Sequence, residues 1–287
     1  MVIVGAGGHG RELLDLVEAV NATPGRGPRY RFLGFLDATG SGGTGGGTDP
    51  GSTAVSDLAE TGTSADMGDD GAPDLDLLAR RGANLLGGLE QLARLDADYL
   101  IGVRDAARRA RIDGIASAAG RRPATLVHPS ASVGGDVRLG PGTVVCALAC
   151  LTTNVRTGRH VIVNIGASVG HDCQVGDYAA LAPGARVGGG VSVGTGAWIG
   201  SAASVVGPRA VGSGAVVAAG SVVLADVPAG LVVAGSPARP VRDAAGRSTP
   251  AAYAIPGRRD GSARSAAPGP AESVRSSDGP VGEAGRM

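Results

Sequence analysis

Histidine is scarce in this chain, and one of its four histidines stands directly before a carboxylate. His171 is followed by Asp172 within the string VGHDCQ. An imidazole has an unperturbed pKa of about 6.5, so a histidine beside a carboxylate can act as a general base near neutral pH. Aspartate is also a common turn residue, and the spacing alone favours neither interpretation. His160 has no carboxylate beside it in the sequence, and we expect it to be a structural turn residue.

A second candidate for chemistry is a glycine-rich turn near the N-terminus. Gly5, Gly7 and Gly10 fit the pattern G-x-G-x-x-G, between an apolar segment and a segment with apolar residues at helical spacing. Such a turn directs backbone N–H groups and a helix N-terminus at a phosphate. Asp37 ends the next apolar segment, where an acidic residue commonly binds a ribose hydroxyl. The N-terminal region is too short for a full dinucleotide-binding fold, so a nucleotide-sugar diphosphate is the better candidate for its ligand. The alternative is that these glycines only allow tight packing of the strand against the helix.

The element that must position His171 is a six-residue repeat. From Val133 the chain divides into sixteen consecutive hexads, and the first position is Val, Leu or Ile in all but one, which begins at Thr157. The fifth position is small or Val in all but one, which holds Arg209, and the fourth is Gly, Asp or Asn in eleven. Alternate side chains of a strand point the same way, so positions one and five share one interior, and position four supplies a tight turn.

Three such segments close a triangular coil of eighteen residues, and stacked coils bury a column of aliphatic side chains. The repeat therefore predicts a mainly β protein, a parallel β-helix of five to six coils. Its handedness does not follow from the repeat itself.

Composition supports this fold and excludes several functions. Only seven residues are aromatic and 51 are glycine, so an aromatic core is excluded. The 26 basic and 26 acidic residues balance, which argues against nucleic acid as a partner. No apolar stretch is long enough to span a bilayer, and we expect no membrane insertion, a cytoplasmic location and three reduced cysteines.

The chain divides into three regions by composition. Residues 1–122 predict a small α/β Rossmann-like, nucleotide-sugar-binding domain with strands at Val2–Val4, Phe32–Leu36 and Tyr99–Gly102. A Gly-, Ser-, Thr- and Asp-rich insertion at about 38–74 lacks the apolar content to fold. Residues 123–242 form the β-helix domain, and residues 243–287 are predicted to be a disordered tail.

Collinear motifs over most of the predicted folded part resemble the left-handed β-helix acyltransferases of the sialic-acid O-acetyltransferase and bacillosamine N-acetyltransferase family. The matching strings are VIVGAGGHGRELLD, GFLD, LLGGL, ATLVHPSA, VNIGASVGHDCQVGDY, PGARVGGGVSVGTGAWIGSAASVV and DVPAGLVVAGSPARPV. The resemblance implies a left-handed β-helix, a homotrimer, acetyl-CoA as co-substrate without a metal, and transfer to an amino or hydroxyl group of a sugar or nucleotide sugar.

The resemblance also implies roles for individual residues. His171 matches the catalytic base and Asp172 its acidic neighbour. The implied sugar-binding residues are Gly7, Gly8, His9, Asp37, Gly102 and Asn164. The implied acetyl-CoA-binding residues are Gly189, as an oxyanion contact through its backbone N–H, with Ser201, Ala219, Gly235, Pro237 and Arg239.

Two departures from the family pattern keep alternatives open. Ala180 stands where members commonly carry a second histidine, and Val103 stands where an asparagine is expected after Gly102. A non-catalytic β-helix scaffold or binding protein is therefore the alternative to an enzyme. A metal-dependent hydratase is disfavoured, because zinc would need about three histidines and only His160 and His171 lie well inside the repeat.

Overall fold

The N-terminal part is a three-stranded parallel sheet flanked by helices. The computed structural model describes residues 1–25, 27–37 and 74–243, so most of the predicted insertion and tail lies outside the described residues. The strands β1 (Val2–Val4), β2 (Gly34–Leu36) and β3 (Tyr99–Ile101) pair in the order β2-β1-β3. The helices are α1 (Gly8–Asn21), α2 (Leu75–Arg80), α3 (Ala106–Ala118) and a 3-10 turn at Leu89–Ala93.

Alternation along these strands gives the sheet two buried faces. Ile3, on β1, packs in a cluster with Leu13 of α1, whereas Val2 and Val4 pack in a cluster with Ile112 of α3. Successive side chains of a strand point to opposite faces, so one apolar strand supplies both layers. The second strand is two residues shorter than predicted and begins at Gly34.

The remaining strands form three sheets that are the faces of a prism, and all of their pairings except that of the last two strands are parallel. Face A contains β4 (Leu126–Val127), β6 (Val144–Val145), β9 (Ile162–Val163), β12 (Ala180–Leu181), β15 (Trp198–Ile199), β18 (Val216–Val217), β20 (Leu231–Gly235) and β21 (Ala238–Asp243). Face B contains β5 (Ser132–Val133), β7 (Cys150–Leu151), β10 (Ser168–Val169), β13 (Arg186–Val187), β16 (Ser204–Val205) and β19 (Val222–Val223). Face C contains β8 (Arg156–Thr157), β11 (Gln174–Val175), β14 (Ser192–Val193) and β17 (Ala210–Val211).

The register of these strands confirms the eighteen-residue coil. Ser168 pairs with Arg186 and Ile162 pairs with Ala180, each eighteen residues further along the chain. Most residues at positions one and five of the hexads line the interior and are buried, and Val169 and Cys173 are fully buried. The hairpin of β20 and β21 is antiparallel and ends face A.

Each coil has three turns, which stack into three edges. The His171 edge consists of the turns at 134–137, 152–155, 170–173, 188–191 and 206–209, between faces B and C. The Asn164 edge consists of the turns at 146–149, 164–167, 182–185, 200–203 and 218–221, between faces A and B. The third edge carries Tyr178 and joins faces C and A.

A buried polar cluster fixes α3 against the third edge. The Asp113 carboxylate accepts hydrogen bonds from Tyr99 Oη at 2.5 Å, Tyr178 Oη at 2.6 Å and Arg159 at 2.7 and 3.0 Å, with His160 Nε2 3.0 Å away. Burial alone would raise the pKa of Asp113, but hydrogen bonds from Arg159, Tyr178 and Tyr99 outweigh it and hold this pKa well below its usual range. His160 is a turn residue, as predicted, but its ring also faces a carboxylate from another part of the chain.

In the residues that the structure describes, no helix is both long and apolar enough to cross a membrane. The same ranges contain no group of three or more His, Cys, Asp or Glu residues that could hold a metal ion.

Candidate active site

His171 and Asp172 form a hydrogen-bonded pair at a turn of the His171 edge. Asp172 occupies position four with φ +60°, which places its side chain beside the preceding imidazole. His171 Nδ1 lies 2.8 Å from Asp172 Oδ2, and the two side chains are 65% and 58% exposed. An ionised carboxylate can only accept a hydrogen bond, so Nδ1 carries the proton and Nε2 is left to accept one. The pair thus has the arrangement that a solvent-accessible general base requires.

The other oxygen of Asp172 is held from the coil below. Asn154 Nδ2 donates to Asp172 Oδ1 over 2.7 Å. This hydrogen bond, followed by that from His171, lowers the pKa of Asp172 below its ordinary value. Sequence reasoning missed Asn154, although the two residues occupy position four of hexads one coil apart.

Gly189 lies against the imidazole from the coil above. A Cβ atom on Gly189 would stand 2.4 Å from His171 Nε2 and 2.6 Å from Cε1, so a larger residue would collide with the ring. The neighbouring N–H groups of Gly188 and Gly190 donate to Val205 and His171 carbonyls. The Gly189 N–H has no hydrogen-bond acceptor within the described residues. Gly189 therefore lies against the imidazole and carries a backbone donor without an acceptor in the described part of the chain.

The glycine-rich turn lies where the strands of the N-terminal sheet end. Gly7 is the N-cap of α1, and Gly102 directly follows β3, as Asp37 follows β2. A Cβ on Gly10 would stand 1.9 Å from a carbonyl oxygen of the preceding turn, and one on Gly102 would stand 2.5 Å from Gly10 Cα. Gly10 and Gly102 are thus required for packing, whereas a Cβ on Gly8 would meet nothing within 4 Å.

His9 is the buried polar residue of this turn. Its Nδ1 atom lies 3.0 Å from Glu12 Oε2, and the hydrogen bond to His9 is the largest cause of the lowered pKa of Glu12. His9 is 3% exposed, and its Nε2 atom is buried without a hydrogen-bond partner in the described part of the chain. A buried ring nitrogen without a partner is costly, which marks it as a group that a ligand can satisfy. Asp37 is half-buried, and its N–H donates to the Gly87 carbonyl.

The remaining predicted residues lie on other parts of the prism. Asn164, Ser201 and Ala219 follow strands of face A and belong to the Asn164 edge. Asn164 is 6% exposed, and its Oδ1 atom accepts from the Ile165 N–H over 2.7 Å. Faces B and C meet at the His171 edge, so face B separates this edge from the Asn164 edge within one chain.

The predicted residues of the C-terminal segment lie in the hairpin of β20 and β21. Gly235 ends β20 with φ +98°, Pro237 is in the connecting turn, and Arg239 lies on β21. The Arg239 guanidinium donates to the Ala238 carbonyl over 2.9 Å and is otherwise exposed to solvent. One chain therefore brings together His171, Asp172 and Gly189, and leaves the other predicted acetyl-CoA contacts on the Asn164 edge and in the C-terminal hairpin.

Several solved structures are similar to this chain. Perosamine N-acetyltransferase PerB from Caulobacter crescentus, in complex with CoA and GDP-perosamine, is 27% identical with a TM-score of 0.65, over 83% of this chain and 95% of that one. The acetyltransferase domain of PglB from Neisseria gonorrhoeae FA1090, in complex with acetyl coenzyme A, is 28% identical with a TM-score of 0.64, over 83% and 97%. WeeI from Acinetobacter baumannii AYE is 26% identical with a TM-score of 0.63, over 83% and 98%. Comparison with family models and with curated proteins gave no match.

The eighteen-residue coils, the small α/β region and these similarities define a hexapeptide-repeat acyltransferase with a left-handed parallel β-helix. The similar structures include a perosamine N-acetyltransferase and a further acetyltransferase domain, which confirms the resemblance that the sequence motifs indicated.

Proposed function

We propose that this protein transfers the acetyl group of acetyl-CoA to an amino or hydroxyl group of a nucleotide-linked sugar, with His171 as the general base. The observation that carries the proposal is the imidazole held between the Asp172 carboxylate and the Gly189 backbone. The complexes of similar proteins support both substrates, because they contain CoA with GDP-perosamine or acetyl coenzyme A.

The residues present match the needs of direct acetyl transfer. The acceptor nitrogen or oxygen attacks the thioester carbonyl carbon while His171 Nε2 takes its proton. The negative charge that develops on the carbonyl oxygen is stabilised by the Gly189 N–H, and the imidazolium by Asp172. The carbonyl then re-forms as the carbon–sulfur bond breaks. A thiol has a pKa of about 8.5, so the thiolate can leave without a dedicated acid, and no covalent enzyme intermediate is needed.

The N-terminal sheet supplies the features of a nucleotide-sugar site. The N-terminus of α1, where Gly7 is the buried N-cap and Gly8 is exposed, suits a diphosphate, because its N–H groups and dipole favour negative charge. His9 Nε2 would gain a partner from the ligand, and Asp37 lies at the end of β2, where a ribose hydroxyl commonly binds. Gly102 and Asn164 complete this proposed set of sugar-binding residues.

The separation of the predicted residues between two edges supports a homotrimer. Large apolar side chains are exposed on both edges: Val206 and Leu224 lie at or just beyond the His171 edge, and Leu148 and Ile165 lie on the Asn164 edge. Exposed apolar groups on two sides of a chain indicate subunit contacts. We propose that the Asn164 edge of a neighbouring subunit, with Ser201 and Ala219, faces the His171 edge and forms the acetyl-CoA channel.

The proposed substrates are also consistent with a location in the cytoplasm. The three cysteines are free thiols, as expected in a reducing compartment.

The scaffold alternative rests on Ala180, which is 2% exposed and packs in an apolar cluster with Ile162 and Trp198 on face A. Ala180 lies away from the His171 edge, so its replacement of a histidine leaves the pair of His171 and Asp172 intact.

The proposal is tested by coenzyme A release. Purified protein is mixed with acetyl-CoA and, in separate reactions, GDP-perosamine, UDP-4-amino-sugars and sialic acid, and products are identified by mass spectrometry. We expect turnover with at least one acceptor, lost in His171→Ala and retained in His128→Ala. His128 is a matched control because its ring pairs with Ser130 at the base of the prism. Equal background release by the wild type and His171→Ala with every acceptor would favour the scaffold.

A further inference from the structure

A column of polar residues runs along the His171 edge beneath the catalytic pair. Asp136, Asn154 and Asp172 occupy position four of hexads eighteen residues apart, on three successive coils. Asp172 uses both carboxylate oxygens: Oδ1 accepts from Asn154 Nδ2 over 2.7 Å and Oδ2 accepts from His171 Nδ1 over 2.8 Å. The carboxylate that orients the imidazole is therefore itself oriented by the asparagine below it.

Asn154 is held in place by the coil beneath. Its backbone N–H donates to Asp136 Oδ1 over 2.9 Å, and Thr153 Oγ1 donates to the same carboxylate over 3.0 Å. Asn154 adopts φ +53°, a conformation that Asn, Asp and Gly accept most readily. A fixed backbone and a short side chain leave the amide few directions in which to point, and Asp172 lies in one of them.

We infer that Asn154 is a positioning residue for catalysis, whose amide aligns the Asp172 carboxylate so that the imidazole is held with Nε2 as the proton acceptor. This inference rests on the proposed role of His171 as the base. A charge-assisted hydrogen bond between the amide and the carboxylate favours one rotamer of Asp172 at an exposed site where several would otherwise be populated. The same bond favours the ionised carboxylate, which stabilises the imidazolium formed in the reaction.

Few other charges face the imidazole. Asp172 contacts it directly, and Asp136 lies two coils below Asp172, with Arg156 near it. The coil above presents Gly188, Gly189 and Gly190, which carry no charge. A new charge at position 154 would therefore act mainly on the pair of His171 and Asp172.

Two substitutions remove the side-chain amide of Asn154 while keeping the backbone conformation of this residue. Asn154→Gly removes the side chain and keeps φ +53° without strain. Asn154→Asp keeps the shape but replaces the donor with a negative oxygen beside Asp172. We expect Asn154→Gly to lower kcat about tenfold with an unchanged KM for acetyl-CoA, as befits one charge-assisted hydrogen bond. In Asn154→Asp the extra negative charge favours the imidazolium, so the acidic limb of the kcat/KM profile should move to higher pH.

A double-mutant cycle tests whether Asn154 acts through Asp172. Asp172→Gly is the matched partner, because Asp172 also has φ +60°. We expect the double variant Asn154→Gly/Asp172→Gly to have the kcat of Asp172→Gly alone, since the amide then has no carboxylate to align. Circular dichroism and thermal midpoints equal to wild type would show that the coils are intact.

The outcomes distinguish this inference from the proposed function. Wild-type kcat and an unshifted pH profile in both Asn154 variants, or losses that multiply in the double variant, would overturn the role of Asn154. Activity of His171→Ala equal to wild type would instead overturn the proposed function. Loss of activity in His171→Ala together with unaffected Asn154 variants would overturn the inference about Asn154 and leave the proposed function in place.

Discussion

Replacement of Gly189 by alanine should displace the imidazole of His171 without disturbing the coils. The added Cβ would stand 2.4 Å from Nε2, whereas an ordinary contact needs at least 3.4 Å, so the ring must move by about 1 Å. The ring is exposed and can rotate towards solvent, and the φ of Gly189 lies outside the left-handed region, so alanine fits the backbone. We therefore expect the free energy of unfolding to change by less than about 0.5 kcal/mol.

The catalytic cost of this displacement should be large. A misplacement of about 1 Å in a reacting group can cost on the order of 10²-fold in rate, so kcat of Gly189→Ala should fall about 100-fold. The assay is steady-state coenzyme A release with the acceptor identified for the wild type, with thermal denaturation run in parallel.

The chain offers a matched control in the same column of the same edge. Gly135 occupies the same hexad position three coils below Gly189, and a Cβ on it would meet nothing within 4 Å. Gly135→Ala should therefore retain wild-type kcat. A crystal structure of Gly189→Ala with the imidazole displaced, together with wild-type kcat, would refute the reasoning that this ring position matters.

Other predictions concern the N-terminal sheet, the buried carboxylate and the subunit contacts. Gly8→Ala should raise KM for the nucleotide sugar roughly fivefold at an unchanged thermal midpoint, and an unchanged KM in steady-state kinetics would contradict this. Gly10→Ala should instead lower the free energy of unfolding by about 2 kcal/mol through its backbone clash, and unchanged stability in thermal melting would contradict that. Asp113→Ala should lower the free energy of unfolding by about 3 kcal/mol at pH 7 in urea denaturation, because it leaves the buried partners of the carboxylate unpaired. Asp96→Ala is the control at an exposed ion pair, and it should lower the free energy of unfolding by less than about 1 kcal/mol. Because the pKa of Asp113 is lowered in the folded state, the contribution of this carboxylate to stability is fully present above about pH 4 and is lost as the pH falls further. The difference in unfolding free energy between wild type and Asp113→Ala should therefore shrink below about pH 4. A difference that does not change with pH would contradict this. Val206→Asp should shift the protein from trimer to monomer in light scattering, and an unchanged mass would contradict the proposed contact.

The β-helix could be predicted almost completely from the sequence, because each hexad carries the same alternation of buried and exposed positions. The turns were less predictable at particular residues. Leu148, Tyr178 and Ala202 all adopt positive φ at position four, although these residue types do not favour it. Stacking of each coil on the next imposes the conformation, and the hexad pattern supplies this information when local preference does not.

In the candidate site, too, some features could be predicted from the sequence and others could not. The pair of His171 and Asp172 could be predicted from adjacency and from family motifs. The contact between Asn154 and Asp172 required the coil register, although their eighteen-residue spacing was a usable signal. The cluster around Asp113 could not be predicted, because it depends on how α3 packs against the third edge, and no local pattern in the sequence encodes that packing.

A crystal structure of the protein with CoA and its accepted sugar would test the central claim most directly. The account predicts that the acceptor amine or hydroxyl lies about 2.6–3.2 Å from His171 Nε2, with the CoA sulfur on the same edge. A CoA sulfur bound at another edge of the prism, with the acceptor group out of reach of His171, would contradict it.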